Sequence, residues 1–171
     1  MKQVLLAILL LLPGCREDSV EIPDPTPLTQ EALSFFCQMN VAEHAGPKGQ
    51  VHLNGFADPI FFAQVRDLVA YLKSPERDAR ITAIYVSDMG AAPSWSEPGE
   101  TNWIAAEGAV FVVGAGVAGG MGAPEIVPFG RAADAEGFVQ RYGGLTMPLS
   151  QIPDEAALGA VDLDADLEQP S

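Results

Sequence analysis

Cys37 and Met39 are the residues whose types and spacing point most directly to chemistry, within the stretch Phe35-Phe36-Cys37-Gln38-Met39-Asn40-Val41. In an extended segment, positions i and i+2 project from one face. Read that way, the thiol and the thioether point together and Gln38 turns away. A thiolate with a thioether favours a soft monovalent ion such as Cu(I) over Zn, Mg or Ca. The same pair also suits a core, because free Cys is among the most buried residue types and Met fills apolar gaps. A further sulfur stands far along the chain, at Met121 in Gly119-Gly120-Met121-Gly122. Glycines permit close backbone approach, and a thioether on such a loop suits a mobile metal ligand better than a core position.

Other chemistries have thinner support. Gly114-Ala115-Gly116-Val117-Ala118-Gly119 fits G-x-G-x-x-G, but that fingerprint needs a helix to open at the glycines and a βαβ unit around them. The run instead continues Gly120-Met121-Gly122-Ala123-Pro124, which does not start a normal helix. A nucleophilic Cys37 would need a base. The only histidines, His44 and His52, both lie within fifteen residues of it. Zinc normally takes three or four Cys, His or carboxylate ligands, and one Cys with two His is a thin supply. No carboxylate pair stands out from the general acidity.

The chain begins with Lys2, an apolar run over residues 4–12, and then Leu12-Pro13-Gly14-Cys15. That run is too short for a stop-transfer helix and has the order of a secretory signal. Its end resembles a bacterial lipobox, with Pro13 an uncommon residue in that pattern. Residues 1–14 are thus expected to be a lipoprotein signal peptide, with Cys15 lipidated; a plain cleaved signal with an incidental Cys15 is the alternative. A lipidated Cys15 leaves Cys37 without an internal disulfide partner, and a lone thiol outside the cytoplasm is reactive or metal-binding unless buried. Nine Lys+Arg against 23 Asp+Glu give a net charge of −14. Such a surface repels nucleic acid and anionic headgroups.

Residues 15–32, with Pro23, Pro25 and Pro27, read as a flexible linker. A half-buried strand is expected over 50–53, where polar and apolar residues alternate, and a second element over 59–62 after the Asn54-Gly55 turn. Val65, Leu68, Val69 and Leu72 form the apolar stripe of a helix over 63–73, ended by Ser74-Pro75. Residues 80–86 have strand character. The order then repeats: an apolar strand over 109–113, a short strand over 125–129 whose Pro128 suits an edge, a helix over 132–142 capped by Gly143-Gly144, and a last strand over 145–152. This predicts an α+β fold of two similar ββαβ units, residues 33–92 and 93–153, by internal duplication. Residues 154–171, with six acidic and no basic side chains, are expected to be a disordered tail.

Several stretches together resemble the NosL family of accessory lipoproteins for nitrous oxide reductase. They are the lipobox, Phe-Cys37-Gln-Met39-Asn, Glu43-His44-Ala-Gly-Pro-Lys48, Tyr85-Val-Ser-Asp88-Met89-Gly90, Asn102-Trp103-Ile-Ala-Ala and Gly-Gly-Met121-Gly-Ala-Pro-Glu125. The resemblance runs over nearly the whole mature chain. It implies a Cu(I) chaperone rather than an enzyme, facing the periplasm from a lipid anchor, with the outer membrane the expected one. The partners it implies are nitrous oxide reductase and the periplasmic component of an ABC-type copper-maturation transporter. It also implies a fold of two ββαβ units shared with part of the organomercurial lyases. Carried over position by position, the family's copper motifs fall on Cys37, Met39 and Met121, with His44 and Met89 as further candidates for coordination or transfer. The competing readings are a thiol-dependent lyase or hydrolase on this fold and an inert structural lipoprotein.

Overall fold

The computed structural model describes residues 22–76, 79–162 and 165–170. The expected signal peptide and Cys15 lie outside the described residues. Among the described residues, no helix is long and apolar enough to cross a membrane.

Among the described residues there are seven strands: β1 Gly49–Leu53, β2 Ile60–Phe62, β3 Ile81–Ser87, β4 Trp103–Ala105, β5 Val110–Val113, β6 Val127–Phe129 and β7 Leu145–Pro148. Three α-helices accompany them within the same described residues: α1 Val65–Lys73, α2 Ala132–Tyr142 and α3 Asp154–Leu158. One antiparallel sheet has the order β2-β1-β3-β4 and the other the order β6-β5-β7. The sets β1-β2-α1-β3 and β5-β6-α2-β7 thus repeat one ββαβ arrangement, each with its first strand in the centre. Registers agree as well, since Gly49 pairs with Phe62 and Val110 with Phe129. The fold is α+β and duplicated. Pro128 falls in an edge strand, where its missing N–H leaves no ladder bond unmade.

Both central strands are buried on two faces, for different reasons. In β5, Phe111 joins one core while Val110 and Val112 join the other, which is why the stretch is continuously apolar. In β1, Val51 and Leu53 face the first core with Val65, Leu68 and Val69 of α1. Gln50 and His52, on the opposite face, are buried too. This corrects the half-buried expectation for that strand. Their cover is the Pro-rich segment: Thr26 N–H donates to Gln50 Oε1 (2.8 Å), Gln50 Nε2 donates to Thr26 O (2.9 Å), and Tyr85 Oη donates to Pro23 O (2.7 Å). Leu28 and Ala32 are buried against Val41. The described part of the expected linker, from residue 22 onward, is therefore packed rather than free. Its prolines remove donors, and Thr26, the Pro23 carbonyl and the Leu28 N–H, which donates to Glu100 O (2.8 Å), find long-range partners.

Two further expectations are corrected. β4 lies within residues 93–153 yet completes the first sheet, pairing Tyr85 with Ala105. The acidic stretch after residue 153 is ordered in part. Asp154 and Glu155 occupy the first turn of α3, where the helix dipole favours carboxylates. Ala157 enters the first core, Lys73 Nζ donates to Asp154 Oδ1 (2.6 Å), and Arg66 Nη2 donates to Gly159 O (2.7 Å). Further on, Glu168 bonds the backbone of Gly116 and Ala118, both at 2.8 Å. Composition alone gave no sign of these long-range partners.

Candidate metal centre

The Cys37 segment is a reversal, not an extended strand. Leu33 and Asn40 form an antiparallel bridge, Ser34 N–H donates to Met39 O (2.9 Å), and Gln38 N–H donates to Ser34 O (2.9 Å). Gln38 has φ +57°, the left-handed region that few non-glycine residues enter. Its side chain stabilises that conformation by donating to Phe35 O (2.8 Å) and Ser34 O (3.2 Å). Strand alternation therefore does not govern Cys37 and Met39; they flank the residue at which the chain turns. Cys37 is half-buried and Met39 is 44% exposed. Beneath the turn, Phe35 packs on Phe62 and Tyr71, with ring centroids 5.9 and 5.3 Å apart, and Phe36 lies edge-on to Phe62 at 5.8 Å. The aromatic pair anchors the turn and leaves the thiol accessible.

Met121 stands at the tip of a hairpin. Ala118 bridges Pro124, Gly119 N–H donates to Ala123 O (2.8 Å), and Gly122 N–H donates to Gly119 O (2.9 Å). Residues 119–122 thus make a four-residue turn, with Met121 at its third position and 41% exposed. Glycine is required here by close approach: a methyl group on Gly120 would stand 2.6 Å from both Ala45 O and His44 Cβ. No helix follows β5, as the argument against a dinucleotide loop anticipated.

His44 is brought to this hairpin. Its Nδ1 lies 3.2 Å from Gly120 O. A carbonyl only accepts, so Nδ1 carries the proton, and in the neutral ring the Nε2 lone pair is left for other use. Metal-bound histidines commonly show this arrangement, one ring nitrogen donating to a carbonyl and the other facing the ion. His52 behaves differently: buried in β1, it is bonded through Nε2 to Gln50 Oε1 at 2.9 Å. Met89 packs with the second core, and its N–H donates to Pro128 O (3.0 Å).

The Cys37 turn and the Met121 hairpin meet adjacent residues at the start of α1. Ala63 N–H donates to Ser34 Oγ (3.4 Å) in the first, and Met121 N–H donates to Gln64 Oε1 (3.3 Å) in the second. A half-buried thiol, two exposed thioethers and one imidazole nitrogen are thereby carried on loops that converge on the same helix end. Such a set offers soft donors to a monovalent ion and leaves the site open to solvent.

Residues 25–157 match the NosL family model. The chain belongs to the NosL family. The copper-binding lipoprotein NosL of Achromobacter cycloclastes is 48% identical to it over 157 residues, which span 91% of this chain and 81% of that protein. The protein of the same name from Stutzerimonas stutzeri is 30% identical over 159 residues, 90% of this chain and 80% of that protein. The crystal structure of the copper chaperone NosL from Shewanella denitrificans superposes with a TM-score of 0.71 at 32% identity, covering 75% of this chain and 95% of that one.

Two buried ionisable residues, Lys48 and Glu125, brace the two loops of the candidate site, and their roles are not legible in the sequence. Lys48 is almost fully buried and spends its three donors on main-chain carbonyls: His44 O (2.5 Å), Ala45 O (3.1 Å) and Ala63 O (3.2 Å). Glu125 is equally buried, and its Oε1 accepts from Arg66 N–H (3.0 Å) and Ile126 N–H (2.9 Å). Gln64 makes no side-chain cap to α1, so the Glu125 carboxyl from the second unit satisfies one of that helix's open donors. The only signal for either residue was its place in a motif: Lys48 closes the His44 stretch and Glu125 the Met121 stretch.

Burial pulls the Lys48 ammonium down to about 8, with Glu125 opposing the shift. Burial also pushes the Glu125 carboxyl up to about 8, against its backbone hydrogen bonds and Lys48, while Asp67 adds to the rise. The signs predict a pH profile. Glu125 keeps its proton in the fold when the unfolded chain has lost it, so its contribution is complete below the ordinary value of 4.5 and is lost as pH rises toward about 8. The desolvation of charged Lys48 is relieved only between about 8 and 10.5. Urea midpoints are therefore expected to fall from pH 5 to a minimum near 8, and Glu125→Gln should flatten that fall. An equal slope in the variant would show that Glu125 is not its source.

Proposed function

We propose that this chain is a Cu(I) metallochaperone, lipid-anchored through Cys15 and facing the periplasm, that carries copper toward the copper centres of nitrous oxide reductase. Cys37 supplies the thiolate, Met39 and Met121 supply thioethers, and His44 Nε2, on the segment that abuts the Met121 hairpin, is the further donor. The periplasmic component of an ABC-type maturation transporter is the expected receiving partner. One observation carries the copper reading: an accessible thiol on an anchored turn and an exposed thioether on a second loop, each loop hydrogen-bonded to the residues that lead into α1. Core methionines would not be 44% and 41% exposed, which counts against an inert packing role for Met39 and Met121. The names of the relatives, copper-binding lipoprotein and copper chaperone, support the same reading.

The delivery role is tested in a denitrifying strain that lacks the gene, complemented with the wild-type chain or with Cys37→Ser. Nitrous oxide reductase purified from the Cys37→Ser strain is expected to be copper-deficient. Full copper content in that enzyme would overturn the role.

A further inference from the structure

We propose that Gln64 and Glu125 are positioning residues that lock the Met121 hairpin against the start of α1, so that its thioether is held near the Cys37 turn before copper arrives. The proposal deepens the Cu(I) reading and rests on Met121 being a ligand.

The hairpin is wedged between two walls. On one side, a methyl group built on Gly119 would stand 2.4 Å from Glu125 Oε2 and 2.6 Å from Gln64 Oε1. Both side chains are buried, and both press against the backbone of the turn. Gln64 Oε1 also accepts from Met121 N–H (3.3 Å), while its Nε2 donates to Asp67 Oδ2 (3.4 Å), tying the hairpin tip to α1. Glu125 is held still by its two backbone donors, one of them in α1. Among the described residues its Oε2 has no hydrogen-bond partner and lies under Gly119.

On the other side, Gly120 abuts His44 and Ala45, and Lys48 fastens their carbonyls to that of Ala63. Ala63 and Gln64 are consecutive, so both walls end on one backbone segment. Ser34 Oγ joins the Cys37 turn to that segment as well. The hairpin is thus set in place by the fold rather than ordered by the metal, and the entropy of fixing it is spent on folding instead of on binding.

The test is a double-mutant cycle on Cu(I) affinity, measured anaerobically against a competing chelator on the reduced protein. Gln64→Leu and Gly119→Ala are each made with Met121 present and with Met121→Ala. The first removes the acceptor, and the second drives a methyl group between the hairpin and its wall. With Met121 present, each is expected to weaken binding by about 10- to 100-fold, the range for residues that orient metal ligands. In the Met121→Ala background neither should weaken it further. X-ray absorption of the copper-loaded variants should show one sulfur neighbour fewer, as in Met121→Ala itself. If Gln64→Leu does not fold, Gly119→Ala carries the same cycle. Equal losses in both backgrounds would reduce these residues to a structural role, and unchanged affinity with Met121 present would also overturn the proposal. An unchanged affinity in Met121→Ala alone would instead refute Met121 as a ligand, a failure of the underlying reading.

Discussion

Replacing Cys37 by Ser is expected to remove tight Cu(I) binding while leaving the chain folded. The thiolate is the only charged soft donor in the proposed set. A serine hydroxyl is hard and neutral at physiological pH, so two thioethers and an imidazole would hold the ion with no formal charge to offset its own. The fold should survive because the turn is built by other groups: the Leu33–Asn40 bridge, the Ser34 and Gln38 hydrogen bonds, and the Phe35 and Phe36 rings. Copper retained through anaerobic gel filtration, read beside the far-UV circular dichroism, separates the two effects. A variant that lost both copper and its native spectrum would mark Cys37 as structural.

Phe62→Ala should have the largest effect on stability, about 3–5 kcal/mol, the usual cost of deleting a buried ring. Phe62 is fully buried in β2 and touches Phe35, Phe36 and Tyr71. Its loss opens a cavity directly beneath the Cys37 turn, where both anchoring rings lose a partner. Urea unfolding is expected to show a lower midpoint at an unchanged slope. Because the anchor also loosens, Cu(I) affinity should fall in this variant even where it remains folded. A loss below 1 kcal/mol would mean that the aromatic cluster does not support the turn.

The regular elements were legible because their causes are local. Helix α2 begins and ends where its apolar spacing and Gly143 place it, and Gly143 takes the positive φ, +74°, of a helix end. The duplication was readable from the order of strands and helices, since each unit repeats the same hydrophobic pattern. What escaped was set by long-range contacts. The alternation of Gln50 and His52 with Val51 and Leu53 is a strand with two buried faces, and only the cover supplied by Thr26 and Pro23 reveals it. The acidic tail is ordered by Lys73, Arg66 and the Val117 hairpin arm, none of them nearby in sequence.

At the candidate site, residue types were more legible than geometry. Cys37, Met39 and Met121 were singled out by chemistry and spacing, but the extended backbone assumed for the first two is a turn. Its determinant, a glutamine in the left-handed region held by its own side chain, has no sequence signature comparable to Asn-Gly. His44 was legible as one of two histidines near Cys37, and as a copper donor only with the resemblance; the structure adds the Gly120 carbonyl that sets its tautomer.

Anaerobic titration of residues 16–171 with Cu(I) against a competing chelator tests the central claim most directly, with Cys37→Ser and Met121→Ala measured alongside. The predicted result is one tightly bound Cu(I) per wild-type chain, with affinity lower by orders of magnitude in Cys37→Ser and clearly reduced in Met121→Ala. An affinity unchanged in both variants would contradict the assignment of the site.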